Sequence, residues 1–295
     1  IAFGFTQATD ILPIYAIGAV VGGAMFGDNL SMISDTTIAA TRSQNVELRD
    51  KFRVNVWIAL PAAIMTLIAY VLLSQQAESI QSKTYDLWLI LPYLAVFFLA
   101  FSRLHVLAVL MIGVVLSGII GLIEKPEFDL LKLNSSIYDG FVGMFEVALL
   151  SMLLGGLSAL MQKEGGLQWL IEKIYRITGL FKFGRQRAGE LGISFLVVFS
   201  NLFVANNTVA IILSGDMARE VAKEYGVDPK RSAALLDIFS CVIQGIIPYG
   251  AQLLLACSIA KLSPVELIGH IYYCWILAVF AILAILFNYP RLKTS

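Results

Sequence analysis

The sequence predicts an all-α polytopic membrane protein, arranged as an inverted repeat with broken helices and a re-entrant hairpin. Its 295 residues are 58% hydrophobic and 14% charged, with a mean hydropathy of +0.80, whereas soluble domains are about one quarter charged. The charged residues are clumped, so long apolar runs separate them. Two of these runs, residues 11–41 and 232–260, exceed the roughly 20 residues that span a bilayer, and polar residues interrupt both.

The end of the predicted first repeat, residues 1–73, contains a broken helix at 11–41 followed by a plain span at 54–73. The broken helix holds the polar stretch Gly22–Thr37, which has two carboxylates, two serines, an asparagine and two threonines. An ionisable group within a membrane span costs about 2.5–3.5 kcal/mol, and such residues mark ion or proton paths. The alternative is a polar loop between two helices outside the membrane, which the strongly apolar flanking runs disfavour.

The middle of the chain, residues 74–162, is predicted to form scaffold spans that connect the two repeats. Plain spans are expected at 87–101, 104–123 and 141–162, because each of these runs is almost free of charge. A mostly acidic loop is expected at 124–140.

Residues 163–187 place apolar and charged side chains on opposite sides at helical spacing, which indicates an amphipathic helix lying in the membrane interface. A soluble connector helix is the alternative. The second repeat is predicted over residues 188–295. It comprises a re-entrant hairpin at 188–215, a broken helix at 232–260 and a final span at 264–288.

The charges of the loops set the predicted orientation. The loop at 42–53 is basic and is placed in the cytoplasm by the positive-inside rule. A hairpin at 188–215 with its tip at Asn206–Thr208, rather than a crossing, keeps the basic loop at 216–231 and the C-terminus inside as well. The two broken helices then run in opposite directions, and a binding site is expected where they meet near the midplane. By this symmetry the first repeat needs its own hairpin upstream of Ile1, so an N-terminal truncation is expected.

The ionisable residues predicted within the membrane are all acidic: Asp28, Asp35, Asp237 and, near one end of its span, Glu146. With no intramembrane Lys or Arg expected beside them, they require a cation or a proton. Paired carboxylates shielded from water can hold either Na⁺ or H⁺, and hydroxyl, amide and backbone oxygens suit a hard monovalent cation. The predicted ion- or substrate-binding residues are Asp28, Ser31, Ser34, Asp35, Thr36, Thr37, Asn206, Asn207, Thr208, Asp237, Gln244 and Gln252, with Asp28 and Asp35 as the Na⁺ ligands and with Gly27, Pro248 and Gly250 at the unwound hinges.

Each candidate also has an ordinary structural interpretation. Asp28 and Asp35 are residue types that cap helices, and a cap at a break within the membrane is compatible with a site. Asp237 would then only cap or hydrate the cytoplasmic end of its helix. Residues 206–208 would form an ordinary loop, and Glu146 would extend towards the interface.

Other chemistries are disfavoured by what the sequence lacks. Cys241, Cys257 and Cys274 sit in apolar runs without the spacing of disulfide or metal ligands, and His105 and His270 lie near span ends. No cofactor is expected apart from Na⁺ and H⁺ as transported or coupling ions. With a net charge of zero, the chain has no excess positive charge to attract nucleic acid. Its long apolar runs make the lipid bilayer the expected partner.

One motif resembles a known family. Phe26-Gly27-Asp28, followed by Ser31 and Ser34-Asp35-Thr36-Thr37, is similar to the FGD…S-P-[IL]-S-D-T-T signature of the NhaC sodium/proton antiporter family. The resemblance implies inverted repeats with re-entrant hairpins, a homodimer formed through scaffold helices, an elevator-like movement, and a place in the cytoplasmic membrane of a bacterium or archaeon. Met32 stands where the family usually has Pro, and Asn29-Leu30 replaces a more polar or basic pair. The family also includes carboxylate exchangers and amino-acid permeases, so the substrate stays open.

The favoured function is a secondary active transporter exchanging Na⁺ for H⁺ by alternating access to a carboxylate site near the midplane. The alternative is a Na⁺- or H⁺-coupled carrier of a small organic acid or amino acid. An intramembrane aspartyl protease is disfavoured, because the position two before Gly27 is Met25 rather than Gly. A membrane scaffold is also disfavoured, since it would not need uncompensated polar groups. The chain is therefore not expected to be an enzyme.

Overall fold

The computed structural model describes residues 12–31, 34–74, 91–100, 106–124, 128–166, 169 and 184–290, and the regular structure within them is entirely helical. The all-α prediction is therefore confirmed for the described part of the chain. The helices are α1 (Pro13–Leu30), α2 (Asp35–Gln44), α3 (Leu48–Ser74), α4 (Leu91–Ala100), α5 (Val106–Glu124), α6 (Leu130–Lys163), α7 (Arg185–Val204), α8 (Asn207–Tyr225), α9 (Pro229–Ile246), α10 (Ala251–Ala260), α11 (Pro264–Ile268) and α12 (Tyr272–Leu286).

Several helical segments are compatible with a membrane protein. Among the described residues, four are long and apolar enough to cross a bilayer. Large apolar side chains such as Leu67 and Phe98 are mostly exposed, as expected on a surface that faces lipid. The four segments are Pro13–Gln44, Leu48–Leu72, Arg185–Val204 and Pro229–Ala260.

The first predicted broken helix is interrupted between α1 and α2. Ser31 has extended backbone, and Ser34 caps α2 by accepting a hydrogen bond at Oγ from the Thr37 N–H at 3.3 Å. Gly27, predicted as a hinge, instead lies inside α1. The interruption begins after Leu30, where the chain leaves helical geometry.

The second predicted broken helix is interrupted between α9 and α10. α9 begins at Pro229, earlier than predicted, because Asp228 caps it by accepting a hydrogen bond from the Lys230 N–H at 2.8 Å. The helix ends at Ile246. Pro248 has no N–H to continue it and lies in the interruption together with Gly250.

The segment predicted as a hairpin is a pair of packed helices, α7 and α8. Ala205 ends α7 in the left-handed conformation with φ 52°, and Asn206 caps α8 by accepting from the Val209 N–H at 3.0 Å. α8 continues past the predicted end of the hairpin until Gly226, which supplies the left-handed C-cap with φ 71°.

Two predicted loops are largely helical. The basic loop at 42–53 shrinks to residues 45–47, because Asn45 ends α2 in the left-handed conformation and α3 starts at Leu48. Most of the predicted acidic loop at 124–140 belongs to α6, whose polar residues in this part are exposed and therefore lose no hydration.

The final predicted span, 264–288, is also divided, because residues 269–271 separate α11 from α12. Most of the predicted interfacial helix at 163–187 lies outside the described residues, as does the side chain of Glu146.

α9 is the central helix of the described core. It packs against α7, α8, α2, α3, α1 and α12. The contact with α12 is so close that a Cβ added at Gly245 would lie 2.3 Å from Sγ of Cys274. Asp237, in the middle of α9, is consequently enclosed by protein on every side.

Candidate ion-binding site

Asp237 is the centre of a buried polar cluster. Its Oδ2 lies 2.8 Å from Nζ of Lys51 and accepts a hydrogen bond from Nδ2 of Asn55 at 2.8 Å. Lys51 and Asn55 are four residues apart on α3, so they project from the same face towards α9.

The Lys51 ammonium also contacts the first interrupted helix. It donates hydrogen bonds to the backbone oxygen of Asn29 at 3.0 Å and to Oγ1 of Thr37 at 2.6 Å. The Asn29 carbonyl is free to accept because α1 ends one residue later, and the C-terminal end of a helix attracts positive charge. With Asp237, the ammonium therefore has three acceptors for its three donors.

The prediction that the intramembrane acids lack basic partners is wrong. Lys51 was assigned to a cytoplasmic loop, yet it and Asp237 have no exposed side-chain surface. The reason is that α3 starts before the apolar run does, so its first turns carry Lys51 into the core. A second buried ion pair joins Arg231 of α9 to Glu190 of α7, with Nη2 and Oε2 3.2 Å apart.

Hydroxyl groups line the first interruption. The Ser34 hydroxyl donates to Oγ1 of Thr37 at 2.9 Å and lies 3.1 Å from that of Thr36. Thr37 in turn donates to the backbone oxygen of Ser31 at 2.9 Å. The structure thus brings the predicted residues Ser31, Ser34, Thr36 and Thr37 together, directly beside Lys51.

The two predicted Na⁺ ligands lie in different surroundings. Asp28 is half-buried in the last turn of α1, lies near the Asn207 side chain and is within electrostatic range of Asp237 and Lys51. Asp35, in the first turn of α2, is exposed. Asp28 therefore borders the buried cluster, whereas Asp35 faces outward from it.

The tip at Asn206–Thr208 contributes unequally. Asn207 is buried and lies near Asp28, while Asn206 is exposed and caps α8. Thr208 is half-buried, and its N–H donates to Oδ1 of Asn207 at 3.0 Å. Asn207 is thus the tip residue that the structure places at the cluster.

Gln244 and Gln252 meet across the second interruption. Nε2 of Gln244 donates to Oε1 of Gln252 at 2.6 Å and to the backbone oxygen of Ala205 at 3.1 Å. Gln244 follows Asp237 by seven residues on α9, about 10 Å along the axis. These two residues therefore form a separate group from the Lys51–Asp237 cluster.

Several buried oxygens lack a donor. In the described part of the chain, every buried side-chain polar atom without a hydrogen-bond partner is an oxygen. Leaving such an atom unpaired costs about 1–3 kcal/mol, and a set of acceptors without donors suits a cation. The atoms are Oδ1 of Asn29, Oδ1 of Asn55, Oγ of Ser200, Oδ1 of Asn201, Oδ1 of Asp237 and Oε1 of Gln244.

Sequence reasoning missed Lys51, Asn55 and Asn201 as site residues. Asn201 is a polar residue within the apolar run that precedes the hairpin tip. A polar residue within an apolar run is also the signal that identified Asp28. Lys51 and Asn55 were four residues apart at the start of an apolar run, and this helical spacing indicates a shared face.

Comparison with known proteins assigns the family. The family model described as the Na⁺/H⁺ antiporter family matches residues 87–289. The chain belongs to this family. The resemblance to the NhaC family is confirmed, because two relatives carry that name.

Curated relatives match almost the whole chain. It is 24% identical over 94% of its length to the malate-2H(+)/Na(+)-lactate antiporter of Bacillus subtilis, covering 64% of that protein. It is 22% identical over 98% of its length to the Na(+)/H(+) antiporter NhaC of the same species, covering 69%. It is 24% identical over 97% of its length to NhaC of Alkalihalophilus pseudofirmus, covering 67%. The chain thus spans about two thirds of these relatives, which are named as transporters rather than enzymes. No solved structure matches it.

Proposed function

We propose that the protein is a secondary active transporter that exchanges Na⁺ for H⁺ by alternating access to the Asp237 site. The observation that carries this proposal is the buried Lys51–Asp237 pair, which is surrounded by oxygens without donors. Oδ1 of Asp237, Asn29 and Asn55 are all buried acceptors of this kind. One carboxylate and neutral amide oxygens form a donor set that suits a hard monovalent cation.

The exchange follows from charge balance. The Lys51 ammonium carries the one positive charge that balances the Asp237 carboxylate, and the pair is shielded from water. Burying a second uncompensated positive charge would be strongly unfavourable. A Na⁺ that binds Asp237 must therefore displace the ammonium, or be accompanied by the loss of a proton from Lys51 or Asp28. Na⁺ and H⁺ thereby compete for one buried negative charge.

The remaining predicted residues have supporting roles in this proposal. The hydroxyls of Ser31, Ser34, Thr36 and Thr37 would receive the cation when the ammonium moves, because Thr37 already contacts Nζ. Asp35, which is exposed, would attract cations at the entrance. Pro248 and Gly250 would act as the hinge of the second interruption.

The architecture of the proposal is an inverted repeat. The two interrupted helices, α1–α2 and α9–α10, support it, and the α7–α8 pair with its polar turn at Ala205–Asn207 supports a re-entrant hairpin within 188–215. A homodimer in the cytoplasmic membrane of a bacterium or archaeon, with the C-terminus inside, completes it. The bacterial origin of the relatives supports that location.

Proton flux in everted membrane vesicles tests this function. Adding Na⁺ or Li⁺ to energised vesicles containing the protein should release the stored proton gradient. Asp237→Asn should abolish this response, while Asp216→Asn, whose side chain is 91% exposed, should leave it intact. A lack of Na⁺- or Li⁺-dependent flux from the unmodified protein in vesicles would contradict the proposal.

A second candidate is a Na⁺- or H⁺-coupled carrier of a small organic acid or amino acid. It is favoured by the relative named as a malate-2H(+)/Na(+)-lactate antiporter. Gln244, Gln252 and the tip at 206–208 would then hold the solute. Uptake of labelled malate, lactate or amino acids decides between the two, since a cation exchanger should take up none of them.

A further inference from the structure

A second group of unpartnered oxygens lies away from Asp237, between the ends of α7 and α9. Ser200, Asn201 and Gln244 are each at most 1% exposed. Within the described chain, Oγ of Ser200, Oδ1 of Asn201 and Oε1 of Gln244 have no hydrogen-bond partner. Ser200 and Asn201 are consecutive on the buried face of α7, which packs against α9.

The amide groups are oriented by their nitrogens. Nδ2 of Asn201 donates to the backbone oxygen of Ser240 at 2.8 Å, tying α7 to α9. Nε2 of Gln244 donates back to Ala205, directly after α7, at 3.1 Å. Because both nitrogens are engaged, both amide oxygens are held in place without a donor.

Four helix ends meet at this place. α7 ends at Val204 and α9 ends at Ile246, while α8 starts at Asn207 and α10 starts at Ala251, so the partial charges of the helix ends largely cancel. The attraction for a cation therefore comes from the unpaired oxygens and not from a helix dipole.

We infer that Ser200, Asn201 and Gln244 form a second binding site for a hard monovalent cation. This inference rests on the proposed function, because it assumes that Na⁺ enters the protein. Because Asn201 bonds to Ser240 and Gln244 follows one turn later, the site would lie about 5–10 Å from Asp237 along α9. Neutral oxygens suit a monovalent ion, since divalent cations in proteins are held largely by carboxylates. Within the described residues, no group of three or more His, Cys, Asp or Glu could hold a metal ion.

Equilibrium binding of ²²Na⁺ to the purified protein in detergent tests the second site. The unmodified protein should bind two Na⁺ per chain, and Asp237→Asn should remove one. Ser200→Ala should weaken the other about five- to tenfold, as expected for the loss of one ligand. Gln244→Met should weaken binding of the same Na⁺, because it removes another oxygen ligand of the proposed site.

The Ser200 variant is chosen because its hydroxyl has no partner in the described structure, so its removal should leave the unfolding temperature unchanged. Ser194→Ala is the matched control: it lies on the same helix, but its hydroxyl donates to the backbone oxygen of Glu190 at 2.8 Å. It should leave Na⁺ binding unaltered.

The possible outcomes separate this inference from the proposed function. If one Na⁺ binds and is lost in Asp237→Asn, while Ser200→Ala and Gln244→Met change nothing, the second site is overturned and Na⁺ transport through Asp237 stands. If no Na⁺ binds and the vesicles show no Na⁺-dependent flux, both are overturned. Two Na⁺, one of them sensitive to Ser200 and Gln244, would support the second site.

Discussion

Nζ of Lys51 lies 2.8 Å from Oδ2 of Asp237, and neither side chain has any surface exposed to solvent. The pair joins α3 to the central helix α9 in the middle of the core. Its ammonium also holds the Asn29 carbonyl and the Thr37 hydroxyl on the two sides of the first interruption. Any cation that binds Asp237 must therefore weaken or replace the ion pair between Lys51 and Asp237.

Lys51→Met should destabilise the protein by about 3–5 kcal/mol, because it leaves the Asp237 carboxylate buried without a counter-charge. Added Na⁺ should restore part of the loss if it can bind Asp237 in place of the ammonium. Thermal unfolding in detergent with NaCl or choline chloride measures both effects. The double variant Lys51→Met/Asp237→Asn should be more stable than Lys51→Met alone.

Lys230→Met is the control for this prediction. Lys230 pairs with Asp50 at 3.3 Å, but both side chains are partly exposed, and such pairs contribute little to stability. An equal loss of stability in the Lys230 and Lys51 variants would contradict the importance of burial.

Asp28→Asn should reduce Na⁺-dependent proton flux to the level of vesicles without the protein. The Asp28 carboxylate is half-buried and lies near both Asn207 and the Lys51–Asp237 pair. Asp35→Asn should leave the flux within about threefold of the original, because Asp35 is exposed and its field is screened by salt. Equal losses in the two variants would show that both carboxylates act together, as the sequence alone predicted.

Glu190→Ala should lower the stability by about 3–5 kcal/mol, since it leaves the buried Arg231 guanidinium without its carboxylate. The backbone oxygen of Tyr289, which accepts from Nη1 of Arg231 at 2.6 Å, is a neutral partner and compensates only in part. The comparison variant is Asp216→Ala, which removes an exposed partner 3.7 Å from Arg219. Thermal unfolding should show a clearly lower unfolding temperature for Glu190→Ala than for Asp216→Ala. Identical unfolding curves would refute a stabilising role of the buried Glu190–Arg231 pair.

Gly245→Ala should destabilise the packing of α9 against α12 by about 1–3 kcal/mol. Its new Cβ would lie 2.3 Å from Sγ of Cys274, so either this buried side chain would have to change rotamer or the helices would have to move apart. Gly23→Ala on α1 meets no atom within 4 Å and should be neutral or slightly stabilising. Unfolding temperatures of the two variants check the prediction, and a neutral Gly245→Ala would show that the contact can relax.

The sequence located most of the residues at the two interruptions. Polar residues within apolar runs are costly in a membrane, so Asp28, Thr37 and Gln244 stood out by composition alone. The same reasoning placed Pro248 in the second interruption, because Pro cannot continue the backbone hydrogen bonds of a helix. Of the two breaks that it allowed, at Gly27 or at Ser31–Ser34, the structure has the second, since a glycine is tolerated within a helix and its neighbours keep α1 helical to Leu30.

The partners of these residues could not be predicted in this way. Lys51 sits among the basic residues 42–53, which by charge count form a cytoplasmic loop. Whether such a residue is exposed or buried depends on where the helix starts and which helix faces it. That was decided by the capping of α2 at Asn45 and by the packing of α3 against α9.

The sequence by itself predicted apolar helical segments of a membrane protein, two of them interrupted, and its first motif resembles the antiporter family to which the chain belongs. Hydropathy and helix-breaking residues are local properties and can be read from consecutive positions. Only the tertiary structure decided that Asp237 is paired with Lys51, that Asp35 faces outward, and that Asn201 and Gln244 share one locus. These relationships join residues distant in the chain, and they depend on the packing of helix faces that no local pattern specifies.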